Sequence, residues 1–196
     1  MTENELNKNI HLLFPTVIYR EENFLPKHVV KKYKKLILND TCENGGKTWL
    51  SKIRNSNKTH DLSTDPNFQE LHEKINDRIQ FLSSAMKFNR KLNCQGSWFN
   101  IYKKYDYQEV HHHGDTVLSC VYFVKSNEKS SFLVLYNPTE IFDGNIGYTE
   151  GNELNWSNYK IPPIKNSLVI FRSYLKHCVA QHMDKSLRIT ISGNYM

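Results

Sequence analysis

After Asn93 the chain reads as a run of short extended segments, and this run limits the fold more than any other feature. Ser97 to Lys103, Tyr107 to His113, Val117 to Val124, Ser131 to Tyr136, Ser167 to Phe171, Cys178 to His182 and Leu187 to Tyr195 are each rich in β-branched and aromatic residues. Strands this short must pair with one another and then bury one face. The stretch before them differs. Pro26 opens a helix from Lys27 to Leu38, with Val29, Val30, Tyr33, Leu36 and Ile37 as its apolar side. A second helix is expected from Pro66 to Met86, where Phe68, Leu71, Ile75, Ile79 and Leu82 recur at helical spacing and Ser63 or Asp65 can cap it. Two helices followed by seven strands predict an α+β protein, with helices outside a β-sandwich or barrel.

The remaining segments are less regular. Ile10 to Arg20 is read as a strand broken by Pro15, and Cys42 to Gly46 as a loop. Thr139 to Lys160 is long, polar and glycine-rich, which marks a binding loop or lid, with Tyr148, Trp156 and Tyr159 as candidate substrate contacts. No linker or repeat divides the 196 residues, so a single domain spanning 1–196 is expected.

Composition excludes several classes. With 39% hydrophobic and 23% charged residues the chain is not disordered. No apolar run approaches the roughly 20 residues of a membrane helix, and the polar N-terminus is no signal peptide. The four cysteines lie apart with no CxxC pair, which fits a reducing, cytoplasmic compartment (a host cytoplasm for a phage protein). Cys178 adjoins a histidine, but no activating partner can be placed for a thiol catalyst. The net charge of +6 owes much to Lys27, Lys31, Lys32, Lys34 and Lys35, which read as a solvated helix face. A nucleic-acid partner is therefore disfavoured, though left open, as is a homodimer.

The most informative stretch is Glu109-Val-His-His-His-Gly-Asp115. Side chains alternate along a strand, so His111, His113 and, if the strand continues, Asp115 share one face, while His112 points away. His177, beyond the apolar segment Leu168 to Phe171, is the natural further ligand. Such a set leaves one face of an octahedral ion open. That geometry suits non-haem Fe(II), with 2-oxoglutarate taking two positions and O₂ the last. A cationic anchor for the far carboxylate of 2-oxoglutarate should follow. In Leu187 to Ser192, Arg188, Thr190 and Ser192 lie on one face and Leu187, Ile189 and Ile191 on the other. A guanidinium placed there can pair bidentately with a carboxylate, and the Thr190 hydroxyl can add a bond.

These motifs resemble a known family, the 2-oxoglutarate–Fe(II) oxygenases of marine bacteria and phages related to prolyl and aspartyl hydroxylases. Leu13 to Tyr19 resembles the family's opening, and Ser97-Trp-Phe-Asn-Ile-Tyr102 its tryptophan-asparagine strand. His111 to Phe123 is similar, without gaps, to its HxHP...SGVYY signature, and Arg188 to Tyr195 to its RISxSFN close. Gly114 stands where the family has proline and Cys120 where it has glycine. The resemblance implies a double-stranded β-helix of jelly-roll or cupin type, with two flanking N-terminal helices. It implies oxidation of a substrate C–H bond, with succinate and CO₂ as co-products. Two metal triads remain open: the ungapped match implies His111, His113 and His177, whereas the widespread oxygenase pattern implies His113, Asp115 and His177. By the same resemblance Asn100 and Tyr122 contact 2-oxoglutarate; Trp98 is read as core. The substrate is a small molecule or a peptidyl group, with an amino-acid side chain favoured. Two alternatives stand beside this reading: a metal-binding recognition module without catalysis, and a three-histidine dioxygenase that does not use 2-oxoglutarate.

Overall fold

The computed structural model describes residues 10–11, 13–41, 50–139 and 147–196. Among these described residues ten strands form two antiparallel sheets. In chain order they are β1 (Ile18–Glu21), β2 (Arg54–Asn55), β3 (Cys94–Tyr102), β4 (Gln108–His111), β5 (Leu118–Lys125), β6 (Leu133–Tyr136), β7 (Asn158–Ile161), β8 (Leu168–Arg172), β9 (His177–Val179) and β10 (Arg188–Tyr195). One sheet has six strands in the order β1-β8-β5-β10-β3-β2, and the other has four in the order β4-β9-β6-β7. From β3 onward the chain alternates between the sheets in the manner of a jelly roll, apart from β6 and β7, which are neighbours in the smaller sheet. Two helices, α1 (Lys27–Asn39) and α2 (Gln69–Ala85), complete the α+β architecture. Among the described residues no helix is long and apolar enough to cross a membrane.

Alternation along the strands of the larger sheet divides the interior in two. Phe99, Ile101, Leu118, Tyr122, Leu168, Ile170, Ile189 and Ile191 share one apolar cluster with Val29, Val30, Tyr33 and Ile37 of α1 and Leu71, Ile75, Ile79 and Leu82 of α2. These are the helix positions that the 3.6-residue spacing selects, apart from Leu36, which is only partly buried. The Asp65 carboxylate accepts the Asn67 N–H at 2.8 Å, ahead of a 3-10 turn at Pro66–Phe68. The helices are tied together where the Leu71 N–H donates to the Tyr33 hydroxyl at 3.2 Å. The opposite face of the sheet carries Val169, Phe171 and Phe123, which meet Leu133, Leu135 and Ile161 of the smaller sheet.

Several expected boundaries shift, and two of the shifts have a visible cause. The first strand begins only at Ile18, because Phe14 sits at φ 62° and the following proline has no N–H to pair. β4 stops at His111 rather than His113: the His113 N–H turns to the Ser173 carbonyl at 2.9 Å. β9 begins one residue earlier than expected, at His177 itself. Two strands were not anticipated, β2 and β7, the second of which lies inside the segment read as a loop. The expected loop from Cys42 to Gly46 and residues 140–146 of the candidate lid lie outside the described residues.

Candidate active site

The strand registers bring the mid-chain histidines to His177. β4 pairs with β9 so that His111 lies opposite His177, and β9 pairs with β6 so that His177 lies opposite Leu135. His113 follows on the turn held by Ser173. One ligand nitrogen from each of His111, His113 and His177 falls within 4.8 Å of the others. The ring centroids are 4.2 Å apart for His111 and His177, and 5.2 Å apart for each pair that includes His113. A small inward swing of the rings would bring the nitrogens onto a shared ion at about 2.1 Å from each.

The electrostatics suit a cation. Burial, followed by the neighbouring imidazoles, pushes the His177 pKa down to about 3 and that of His113 to about 4. Burial also lowers His111, against the opposing pull of Glu109. All three are therefore neutral at physiological pH, the state in which imidazole nitrogens can ligate. His111 and His177 are also oriented: each donates its Nδ1–H to a carbonyl, of Glu109 at 2.7 Å and of Leu175 at 2.8 Å, which fixes the tautomer with its lone pair on Nε2.

Asp115 is the ligand candidate that the structure does not bring in. It sits exposed in the turn after His113 and takes no part in the cluster. The Thr116 N–H folds back toward the His113 carbonyl, so the extended alternation that would have aimed Asp115 inward ends first. Among the described residues the donor set is three nitrogens and no carboxylate.

Arg188 opens β10 and lines the same cavity as the three histidines. Its side chain is 1% exposed. Nε donates to the Ser131 carbonyl at 3.2 Å, and the guanidinium lies over the rings of Tyr102 and Phe123, 4.7 and 5.1 Å from their centroids. Neither Nη1 nor Nη2 has a hydrogen-bond partner. Burial pulls its pKa below the usual arginine value. A buried cation with two idle donors is a receptor for a planar anion. Thr190, two residues on, lines the cavity too, and Asn100 lies opposite it across β3 and β10. Asn100 is buried, donates to the Ser192 hydroxyl at 3.1 Å and leaves Oδ1 without a partner.

Tyr122 is a correction. It occupies the opposite face of β5, in the cluster shared with the helices, and its hydroxyl donates to Asn166 Oδ1 at 2.7 Å. The period-2 rule explains this, since Ser119, Val121 and Phe123 take the cavity side and leave Tyr122 facing the helices. Tyr122→Phe is accordingly expected to lower stability by about 1 kcal/mol through the lost buried hydrogen bond. The affinity for 2-oxoglutarate should not change, as chemical unfolding and a binding titration on the same variant would show.

Trp98, read as core, instead lines the cavity with its ring centroid 6.3 Å from that of His113. Sequence reasoning also passed over Gln108, which accepts from the Tyr102 hydroxyl at 3.1 Å, and the polar residues Ser119, Ser173 and Asn194 beside His113. Asn194 was legible in principle, because it continues the alternation of Arg188, Thr190 and Ser192. A separate groove of about 680 Å³ has walls that include Leu13, Phe14, Tyr136, Trp156, Tyr159 and Leu175. Trp156 and Tyr159, two of the expected substrate contacts, lie tilted against each other there with centroids 4.9 Å apart; Tyr148 is half exposed and is not among the lining residues.

Comparison with known proteins agrees with this geometry. The fold is similar to that of a prolyl-4-hydroxylase from Pseudomonas putida, with TM-score 0.63, 11% identity and 92% of each chain covered. It is similar to HygX from Streptomyces hygroscopicus, solved with nickel and 2-oxoglutarate, with TM-score 0.65 and 10% identity over 100% of this chain and 87% of that one. It is also similar to a prolyl hydroxylase from Trichoplax adhaerens in complex with a hypoxia inducible factor peptide, with TM-score 0.66 and 14% identity over 98% of this chain and 86% of that one. No curated protein sequence matches the chain. The family model described as "Putative 2OG-Fe(II) oxygenase" matches residues 96–194, which run from β3 through β10 and contain all three histidines and Arg188. With half of the chain matched and the cluster and the arginine meeting in one cavity, this protein belongs to the 2OG-Fe(II) oxygenase family.

Proposed function

We propose that the chain acts as a single-domain, 2-oxoglutarate-dependent hydroxylase. His111, His113 and His177 hold Fe(II), and Arg188 receives the far carboxylate of 2-oxoglutarate with help from Thr190 and Asn100. The observation that carries this reading is the pair of idle Nη donors on a buried guanidinium that lines the same cavity as three neutral imidazoles. A recognition module with a structural ion has no use for that arginine. The same point weighs against a dioxygenase that dispenses with 2-oxoglutarate, although the all-histidine donor set on its own would suit one.

Bound Fe(II), with 2-oxoglutarate and O₂, supplies the oxidising power for hydroxylating an unactivated C–H bond. The chain itself ligates, orients and excludes water. The enclosed part of the cavity is about 30 Å³, close to the volume of one water molecule. The cosubstrate therefore enters by displacing side chains, among which Trp98 and Gln108 are only half-buried. The substrate, a peptidyl or free amino-acid side chain, lies in the groove walled by Trp156, Tyr159, Leu13 and Phe14. Leu175 lines that groove and also orients His177 through its carbonyl, so the groove shares a wall with the residue that backs one of the three histidines. The hydroxylase bound to a peptide supports a peptidyl substrate by likeness of fold. A cytoplasmic location fits Cys94, Cys120 and Cys178, all of which carry free thiols.

Anaerobic addition of Fe(II) and then 2-oxoglutarate is expected to produce the weak visible absorption band of the chelate, and admission of air should release succinate. Metal-loaded protein that gives neither signal would sink the proposal.

A further inference from the structure

His113 differs from the other two histidines in what its second nitrogen meets. For His111 and His177, Nδ1 faces a backbone carbonyl, which can only accept. Nδ1 of His113 faces a side-chain amide instead: Asn194 Nδ2 lies 3.3 Å away. Behind the amide stands a row of hydroxyls. Ser119 Oγ donates to Asn194 Oδ1 at 2.9 Å, Ser119 and Ser173 are 2.8 Å apart, and Thr116 Oγ1 donates to Ser173 Oγ at 3.0 Å. Ser119 and Ser173 are both buried.

In this arrangement every hydrogen bond points toward the ring, from Thr116 through Ser173, Ser119 and Asn194 to His113 Nδ1. A ring that accepts at Nδ1 carries its proton on Nε2, where it would occupy the lone pair that a metal ion needs. The row has no fixed polarity, however. Each hydroxyl both donates and accepts, and half a turn of the amide exchanges its oxygen and nitrogen. Once reversed, His113 donates Nδ1–H to Asn194 Oδ1, Asn194 Nδ2 donates to Ser119, Ser119 to Ser173, and Ser173 to Thr116. No hydrogen bond is lost, and the neutral ring keeps its charge: its Nε2 proton leaves to water as the ion takes that nitrogen, and Nδ1 takes up one proton from water.

We propose that Asn194 is the positioning residue for His113, and that the Asn194–Ser119–Ser173–Thr116 row reverses its hydrogen bonds when metal binds, freeing Nε2 of His113 as the third ligand. This rests on the three-histidine centre proposed above. The device is adjustable, whereas the carbonyls behind His111 and His177 are not. It lets the ring stay hydrogen-bonded at Nδ1 both with and without the ion, so the site is kept ordered in either state.

The test compares wild type with Asn194→Leu and Asn194→Asp, with Zn(II) as a diamagnetic probe in competition with a chelator. Leucine offers no acceptor, and metal affinity is expected to fall by about 10- to 100-fold, the usual cost of losing an outer partner of a metal-bound histidine. Aspartate can accept Nδ1–H without rotating, and should bind at least as tightly as wild type. The spectroscopic signature is the proton on His113. In nitrogen-15 spectra of the Zn(II) form, wild type and Asn194→Asp should show His113 protonated at Nδ1, with His111 and His177 unchanged in all three proteins. Equal affinity in wild type and Asn194→Leu would overturn the inference and leave the metal centre intact, as would Asn194→Asp losing as much affinity as Asn194→Leu. A wild-type protein that fails to bind Zn(II) at all would overturn the metal centre and this inference together.

Discussion

Arg188→Met should lose 2-oxoglutarate binding almost completely while folding at least as well as wild type. The guanidinium is 1% exposed, with one hydrogen bond to Ser131 and two aromatic rings as its compensation. That compensation amounts to about 2–3 kcal/mol for a charged hydrogen bond and about 0.5–2 kcal/mol for each ring. Set against it is the desolvation of a cation whose Nη1 and Nη2 are both unpaired, a penalty of several kcal/mol. The two sides nearly cancel, so an apolar side chain of similar length should leave the melting temperature of the ligand-free protein level or slightly raised. Binding is another matter. Removing one partner of a buried, bidentate ion pair costs about 3–5 kcal/mol, which corresponds to a loss of roughly 150- to 5,000-fold in affinity. Arg188→Lys should fall between, since an ammonium supplies the charge without the planar fork. Anaerobic calorimetry of 2-oxoglutarate with the Fe(II)-loaded protein, beside thermal melts without ligand, reads both quantities. Binding preserved within a few-fold in Arg188→Met would remove the arginine from the cosubstrate site. A melting temperature lowered by many degrees would make it a structural residue instead.

That expectation was open to a reader of the sequence because β10 obeys a simple rule. Arg188, Thr190 and Ser192 alternate with Ile189 and Ile191 in the sequence, and in the fold the first set faces the cavity and the second the helices. The spacing of Leu71, Ile75, Ile79 and Leu82 gave α2 for the same reason: a period is a local property, and the apolar side of a regular element has only one place to go. Tyr122 shows where the reasoning stopped. Resemblance put it near the carboxylate, but its own strand parity, read from Ser119, Val121 and Phe123, put it on the other face. Asp115 failed differently. Its inward aim required β4 to continue past His111, and what ends β4 is a hydrogen bond from the His113 N–H to Ser173, 60 residues away in the chain. β7 was hidden likewise: Asn158–Ile161 becomes a strand because β6 is beside it, pairing Leu133 with Ile161 and Tyr136 with Asn158. Long-range partners of this kind leave no mark in the local pattern, and the Asn194–Ser119–Ser173–Thr116 row behind His113, gathered from two strands and two turns, leaves still less.

His177→Ala is expected to remove tight metal binding, by at least 100-fold, whereas Asp115→Asn should leave it within about two-fold. His177 is the most buried of the three histidines, and among the described residues no other ligating group joins the cluster to replace it. Asp115, exposed and outside the cluster, has no such part to lose. The same donor set leads to a further result. Three neutral imidazoles leave a divalent ion with its full charge inside a buried site, where uncompensated charge is costly. The dianion 2-oxoglutarate would neutralise that charge, with one carboxylate at the centre and the other on Arg188. Metal and cosubstrate should therefore bind with positive coupling, and linkage makes the effect equal in both directions. Saturating 2-oxoglutarate is expected to tighten the apparent metal affinity of wild type by about ten-fold or more, corresponding to the usual 1–3 kcal/mol of coupling. His113→Asp, which adds the missing negative charge, should bind the ion more tightly alone and show less of this coupling. Arg188→Met should retain the metal and lose most of the coupling, because the cosubstrate no longer binds well enough to contribute. Chelator competition with and without 2-oxoglutarate measures each term. Metal affinity in wild type that does not respond to 2-oxoglutarate would mean that the two do not share a site, and tight binding retained in His177→Ala would place the ion elsewhere.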